Sequence, residues 1–131
     1  MNKKLIFCLI VRDYDEAIEF YTRKLGFVVQ EDVPMGPDRW VTISLPGNQD
    51  CTIAMHVAQN EEDLALVGRQ GGSFPFLGFD TADCIGDYHR MKALGVKFHG
   101  EPDVRPYGTG VMLEDLYGNR IFMNQEPVNE R

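Results

Sequence analysis

Positive charge is scarce in this chain of 131 residues: 13 lysines and arginines stand against 20 aspartates and glutamates, a formal net charge of −7. A nucleic-acid partner needs a basic face to displace phosphate counterions, and the few basic residues do not cluster, which argues against one. A neutral or cationic ligand accords better with this balance, although acidity often serves solubility alone. Cysteine is scarce as well. Cys8, Cys51 and Cys84 are odd in number, far apart and without paired spacing. That pattern excludes a disulfide framework and favours free thiols in a reducing compartment, so a cytoplasmic location is expected. Of the three histidines, His56, His89 and His99, none has a neighbour at metal-ligand spacing, and no Ser-His-Asp or Cys-His order is legible. No apolar run is long enough to span a bilayer, so no membrane partner is expected.

The opening MNKKLIFCLIV places two lysines before a short apolar run, as a signal sequence would. The run ends directly in Arg12-Asp13 without a small-residue cleavage site, and Phe7 is too large to precede a lipoprotein cysteine. Ile6, Cys8 and Ile10 alternating with Phe7, Leu9 and Val11 read better as a buried strand.

What is present is a repeat within a length suited to one domain. Asp13 can cap a helix, with Glu16 closing a capping box, and Tyr14, Ala17, Ile18, Tyr21 and Leu25 fall on one helical face before Gly26. A second helix is expected from Asp83 to Gly95, with Ile85, Tyr88, Met91 and Leu94 at helical spacing. The two endings, KLGF and ALGV, match. Pro34-Met35-Gly36 matches Pro106-Tyr107-Gly108, Val41-Thr42-Ile43 matches Val111-Met112-Leu113, and Pro46-Gly47-Asn48 matches Tyr117-Gly118-Asn119. All lie near an offset of about seventy positions, as in a duplicated supersecondary unit.

Each half then reads strand, helix, strand, strand, strand. Strands are expected at roughly 3–11, 26–33, 39–45 and 51–58, and at roughly 74–80, 96–102, 109–115 and 120–125. VPMGPDRW (33–40) and DVRPYGTG (103–110) are expected as loops, leaving Arg39, Arg105 and Tyr107 available to a ligand or partner. EEDLALVGRQGGS reads as a short helix running into a glycine-rich connection, without the Gly-Lys-Ser/Thr ending of a phosphate loop.

Two such halves, carrying DYDEAIEFYTRKLGF in the first and DYHRMKALGVKF through EDLYGNRIFMNQ in the second, resemble the vicinal oxygen chelate superfamily. This is the group of glyoxalase I, the bleomycin-binding resistance proteins, fosfomycin resistance enzymes and extradiol dioxygenases. The resemblance covers essentially the whole chain. It implies an α+β fold in which two βαβββ modules form half-barrels around a cavity. It also implies a single glyoxalase-like domain over 1–131, with module one at about 1–58, a linker at about 59–73 and module two at about 74–126. A homodimer is expected, from the family's habit of joining modules across chains and from the need to cover sheet edges. Activity does not follow, because one scaffold serves many chemistries.

In that family a divalent metal is held by residues of the first and last strands of each half. The matching positions here are Ile6 and Phe76 in the first strands and Ala54 and Phe122 in the last. None offers a lone pair, so neither metal nor cofactor is expected. What remains is a pocket. Side chains alternate along a strand. Thr52 and His56 therefore join Ala54, Arg120 and Asn124 join Phe122, Cys8 and Ile10 join Ile6, and Gly78 joins Phe76. The repeat pairs Trp40 and Thr42 with Gly110 and Met112.

From the first half the expected ligand contacts are Cys8, Trp40, Thr42, Ala54 and His56. From the second they are Phe76, Met112, Arg120, Phe122 and Asn124, and no catalytic residue is named. The expected function is metal-free binding of a hydrophobic or cationic organic molecule in a dimer cleft, resembling the bleomycin-binding proteins. Two alternatives stay open. Phe76, Phe122 and Trp40 can fill the barrel as plain core. Alternatively the protein is a glyoxalase-like lyase or dioxygenase relative in which His56 or Glu114 acts.

Overall fold

The computed structural model describes residues 3–127, so the outermost positions of the expected domain, 1–2 and 128–131, lie outside the described residues. It divides into two compact units, Met1–Val67 and Gly68–Arg131. In the first, β1 (Leu5–Val11) leads to α1 (Tyr14–Glu19), which continues as a π-helical turn over Phe20–Lys24. β2 (Val28–Met35), β3 (Asp38–Ser44), β4 (Cys51–Val57) and α2 (Glu61–Leu66) follow. The second runs β5 (Leu77–Asp80), α3 (Cys84–Ala93), β6 (Asp103–Arg105), β7 (Gly108–Glu114) and β8 (Arg120–Gln125). Each forms a four-stranded mixed sheet, in the order β1-β4-β3-β2 and β5-β8-β7-β6. The chain is α+β, with one βαβββ topology built twice.

In each unit the first and last strands are parallel neighbours, which a tight turn cannot connect, so a helix must cross one face of the sheet. The helices start where acceptors are supplied. Asp13 accepts from the Glu16 N–H at 2.9 Å, Asn60 from Asp63 at 2.8 Å, and Asp83 from Gly86 at 3.0 Å, each satisfying a donor with no partner inside its helix. In the first unit α1 buries Ala17 and the following π turn buries Phe20 and Tyr21, while the strands bury Leu9, Val11, Val41, Ile43 and Met55. Tyr21, fully buried, packs edge-on against Phe20 and Phe27 with centroids 5.6 and 5.5 Å away. In the second unit Cys84, Tyr88 and Met91 of α3 are buried, as are Val111, Leu113, Ile121 and Met123 of the sheet. The buried apolar residues just named share one parity within each strand and so one face of each sheet; in the first unit Thr42, Ser44, Thr52 and Ala54, of the other parity, are buried as well.

Both segments expected as loops are hairpins instead. β2 continues to Met35 and turns through Gly36-Pro37 into β3, and β6 turns through Pro106-Tyr107 into β7. Two-residue turns suffice, so the ladders extend to the corners. The strand expected at 96–102 is displaced: only Phe98 makes an isolated bridge, to Leu113, and β6 proper begins at Asp103 opposite Gly110. Gly100 is left-handed (φ 93) and Pro102 has no N–H to donate, so the ladder breaks between them.

Arg39 is not available to a ligand either. Its Nη1 donates to Asp15 at 2.9 Å, its Nη2 and Nε donate to Asp32 at 2.7 and 3.1 Å, and its guanidinium lies 5.1 Å from the Tyr14 ring centroid. It ties α1 to the β2–β3 hairpin. Arg105 is likewise paired, with Asp103 at 2.7 Å, whereas Tyr107 is exposed.

Ile121 lies between Leu77 and Leu113 in the ladder and is fully buried. Replacing it with alanine should cost about 2–5 kcal/mol in urea unfolding, from lost transfer energy plus the cavity left behind. The Arg39 guanidinium holds the Asp32 carboxyl below its ordinary value. A depressed folded-state pKa stabilises above the unfolded-state value and is lost as pH falls through the folded one. Asp32→Asn should therefore lower the urea midpoint at neutral pH, and the gap from wild type should close in strong acid.

Candidate functional site

The sheet faces that carry no helix hold the residues to which the sequence assigned a ligand role, in rows fixed by strand register. In the first unit Cys8 pairs with Ala54, Ala54 with Thr42, and Thr42 with Glu31. The adjacent row carries Ile10, His56, Trp40 and Val33, with Ile10 opposite His56 and Trp40 opposite Val33. Cys8 and His56 are exposed, Trp40 is partly exposed, and Thr42 and Ala54 are buried beneath their neighbours. Glu31, absent from the sequence expectation, organises this face. Its Oε1 accepts from Trp40 Nε1 at 3.1 Å and from Thr42 Oγ1 at 3.1 Å. His56 meets the indole edge-on, with ring centroids 6.5 Å apart. Trp40 is thus held at its nitrogen and at one edge.

In the second unit Gly78 pairs with Phe122, and Phe122 with Met112. Asp80 pairs with Asn124 and Asn124 with Gly110, while Arg120 lies opposite Glu114. Phe76 sits just before β5, its N–H donating to the Arg120 carbonyl at 3.0 Å. Phe122 is 37% exposed, so it does not plug a core. Its seat is Gly110: a Cβ there would lie 2.3 Å from Phe122 Cζ, so the missing side chain lets the ring tip rest on β7. Beside it opens a shallow pocket of ≈ 340 Å³ lined by Gly78, Phe79, Asp80, Phe122 and Asn124. Arg120 Nη1 donates to the Ser73 carbonyl at 2.7 Å, which ties the start of β8 to the preceding loop.

At the other end of this face Glu114 accepts from His99 Nε2 at 2.6 Å and lies 3.6 Å from Lys97 Nζ. The corner behind β8 is structural. Asp115 Oδ1 accepts from the N–H groups of Tyr117 and Asn119, both at 2.9 Å, and Asn119 Oδ1 accepts from the Gln70 N–H at 3.1 Å.

The sequence matches the Glyoxalase/Bleomycin resistance protein/Dioxygenase superfamily over residues 5–123. The chain belongs to that superfamily. An uncharacterized protein of Shewanella frigidimarina (strain NCIMB 400) is 42% identical over 113 residues, 85% of this chain and 84% of that protein. The crystal structure of UcmS2 superposes with a TM-score of 0.81 at 28% identity, covering 95% of this chain and 98% of that one. TnmS3, an antibiotic binding protein from Streptomyces sp. CB03234, gives a TM-score of 0.76 at 27% identity, with 96% and 97% covered. The superfamily's fold is therefore this chain's fold.

The metal found in superfamily members does not fit the residues present. Ile6, Ala54, Phe76 and Phe122 supply no donor atom, and Ala54 is fully buried. Among the described residues no group of three or more His, Cys, Asp or Glu side chains is placed to hold an ion. No helix among them is long and apolar enough to cross a membrane.

Trp40 is the chain's single tryptophan, so its emission reports on the Glu31 hydrogen bonds. Glu31→Ala should move that emission to longer wavelength and raise its quenching by acrylamide. Unchanged quenching would mean that packing alone holds the indole.

Proposed function

We propose that the protein is a metal-free, cytoplasmic small-molecule binder that sequesters a hydrophobic or cationic organic ligand in a cleft of a homodimer, without converting it. The observation that carries this is the partly exposed Phe122 beside an open pocket, at a strand position where a metal-binding member would need a donor atom. A concave site with aromatic walls and a few polar groups suits an organic ligand better than a metal-activated substrate. The ligand contacts we assign are the ten named from the sequence less Thr42 and Ala54, whose burial withdraws them from a ligand, joined by Asp80 from the pocket wall. The likeness to TnmS3, itself an antibiotic binding protein, supports the same class of activity. The dimer is supported by β1, an edge strand of wholly apolar sequence on which Leu5, Ile6 and Phe7 are 63%, 52% and 50% exposed. Such an edge invites pairing unless it is covered.

The enzymatic alternative, glyoxalase-like lyase or dioxygenase-related chemistry, draws on the short Glu114–His99 contact, since a carboxylate beside an imidazole can move a proton.

A thermal-shift screen of purified protein against hydrophobic and cationic compounds should give dose-dependent stabilisation, because a ligand of the native state raises apparent stability by RT ln(1 + [L]/Kd). Light scattering should return twice the chain mass. Stoichiometric zinc, nickel, manganese or iron in protein purified without chelator, or metal-free turnover abolished by Glu114→Gln, would replace the binder with an enzyme.

A further inference from the structure

We propose that Asp80, Asn124 and Phe122 form a subsite for a protonated amine or quaternary ammonium group, an assignment that deepens the binder reading above and rests on it. The pocket contains one charged side chain, and it is negative: Gly78, Phe79, Phe122 and Asn124 complete the wall around Asp80. Asn124 Nδ2 donates to Asp80 Oδ1 at 3.1 Å, which steadies the carboxylate at the pocket wall. Among the described residues Asp80 makes no salt bridge. Arg120, the cation on β8, directs its Nη1 to the Ser73 carbonyl and not to Asp80.

The Phe122 ring, seated over Gly110, supplies an aromatic wall next to this charge. A carboxylate and the negative face of an aromatic ring attract the same kind of group, an organic cation, and both disfavour an anion. Because Asp80 is exposed, the attraction is screened by salt. Gly110 acts as a positioning residue: any side chain there must push the ring tip off β7 and towards the pocket.

The test compares two probes of one shape on the full-length protein, phenyltrimethylammonium and neutral tert-butylbenzene, by amide NMR titration. The cation should shift the Gly78, Gly110 and Asn124 signals and bind about fivefold more tightly than the neutral probe, with the advantage shrinking as salt is added. Asp80→Asn, a surface change that leaves the spectrum folded, should cut the cation's advantage to the smaller part that the Phe122 ring supplies and remove its salt dependence. Phe122→Leu should weaken the cation, and Gly110→Ala should weaken both while moving the Phe122 ring signals. Equal binding of both probes to wild type, an Asp80→Asn variant that keeps the preference undiminished, or cation shifts away from these amides would overturn the subsite while leaving the binder reading in place. Absence of binding by either probe also overturns the subsite. The binder reading falls only if the broad thermal-shift screen is silent as well.

Discussion

The parallel ladder between the first and last strands of each unit is the constraint from which the architecture follows. Leu9 beside Met55 and Phe79 beside Met123 are neighbours that no short turn can connect. A helix therefore has to travel over one face, and that face becomes the core. The two remaining strands return as an antiparallel hairpin. The opposite face is left with side chains in straight rows, and on these rows the assigned ligand contacts stand.

One topology yields two different surfaces. In the first unit a carboxylate is folded back onto its own sheet, where Glu31 holds Trp40 and Thr42. In the second the carboxylate of Asp80 is turned to the pocket and held by an amide. The duplicated scaffold supplies positions, and the chemistry at each is set residue by residue. For that reason membership of the superfamily settles the fold and leaves the activity to the site.

The repeat and the helix signals were legible because they depend on local chemistry: caps at Asp13 and Asp83, glycine stops at Gly26 and Gly95, and a Tyr-Gly-Asn corner. The shared face of Thr42, Ala54 and His56, and of Phe122 and Asn124, followed from the period-two rule. Asp80, two places beyond Gly78, lies on the same face by the same rule. Glu31 was not legible: the register shifts between Val29 and Glu31, and a bulge reverses which parity faces which side. The isolated bridge at Phe98 is hidden for a related reason, since an apolar residue in a β-rich segment carries no sign of the ladder break at Gly100. The role of Gly110 is invisible in sequence, where a glycine inside a strand reads as weakness and here is a seat for an aromatic ring.

The parallel ladder also orders the folding reaction. The β2–β3 and β6–β7 hairpins close through two-residue turns, whereas β1 can meet β4 only after a helix and a hairpin have been brought between them. Loop-closure entropy delays such distant pairings, so β1 docks late. Until it does, the apolar run LIFCLIV is presented on a nascent chain with no strand beside it.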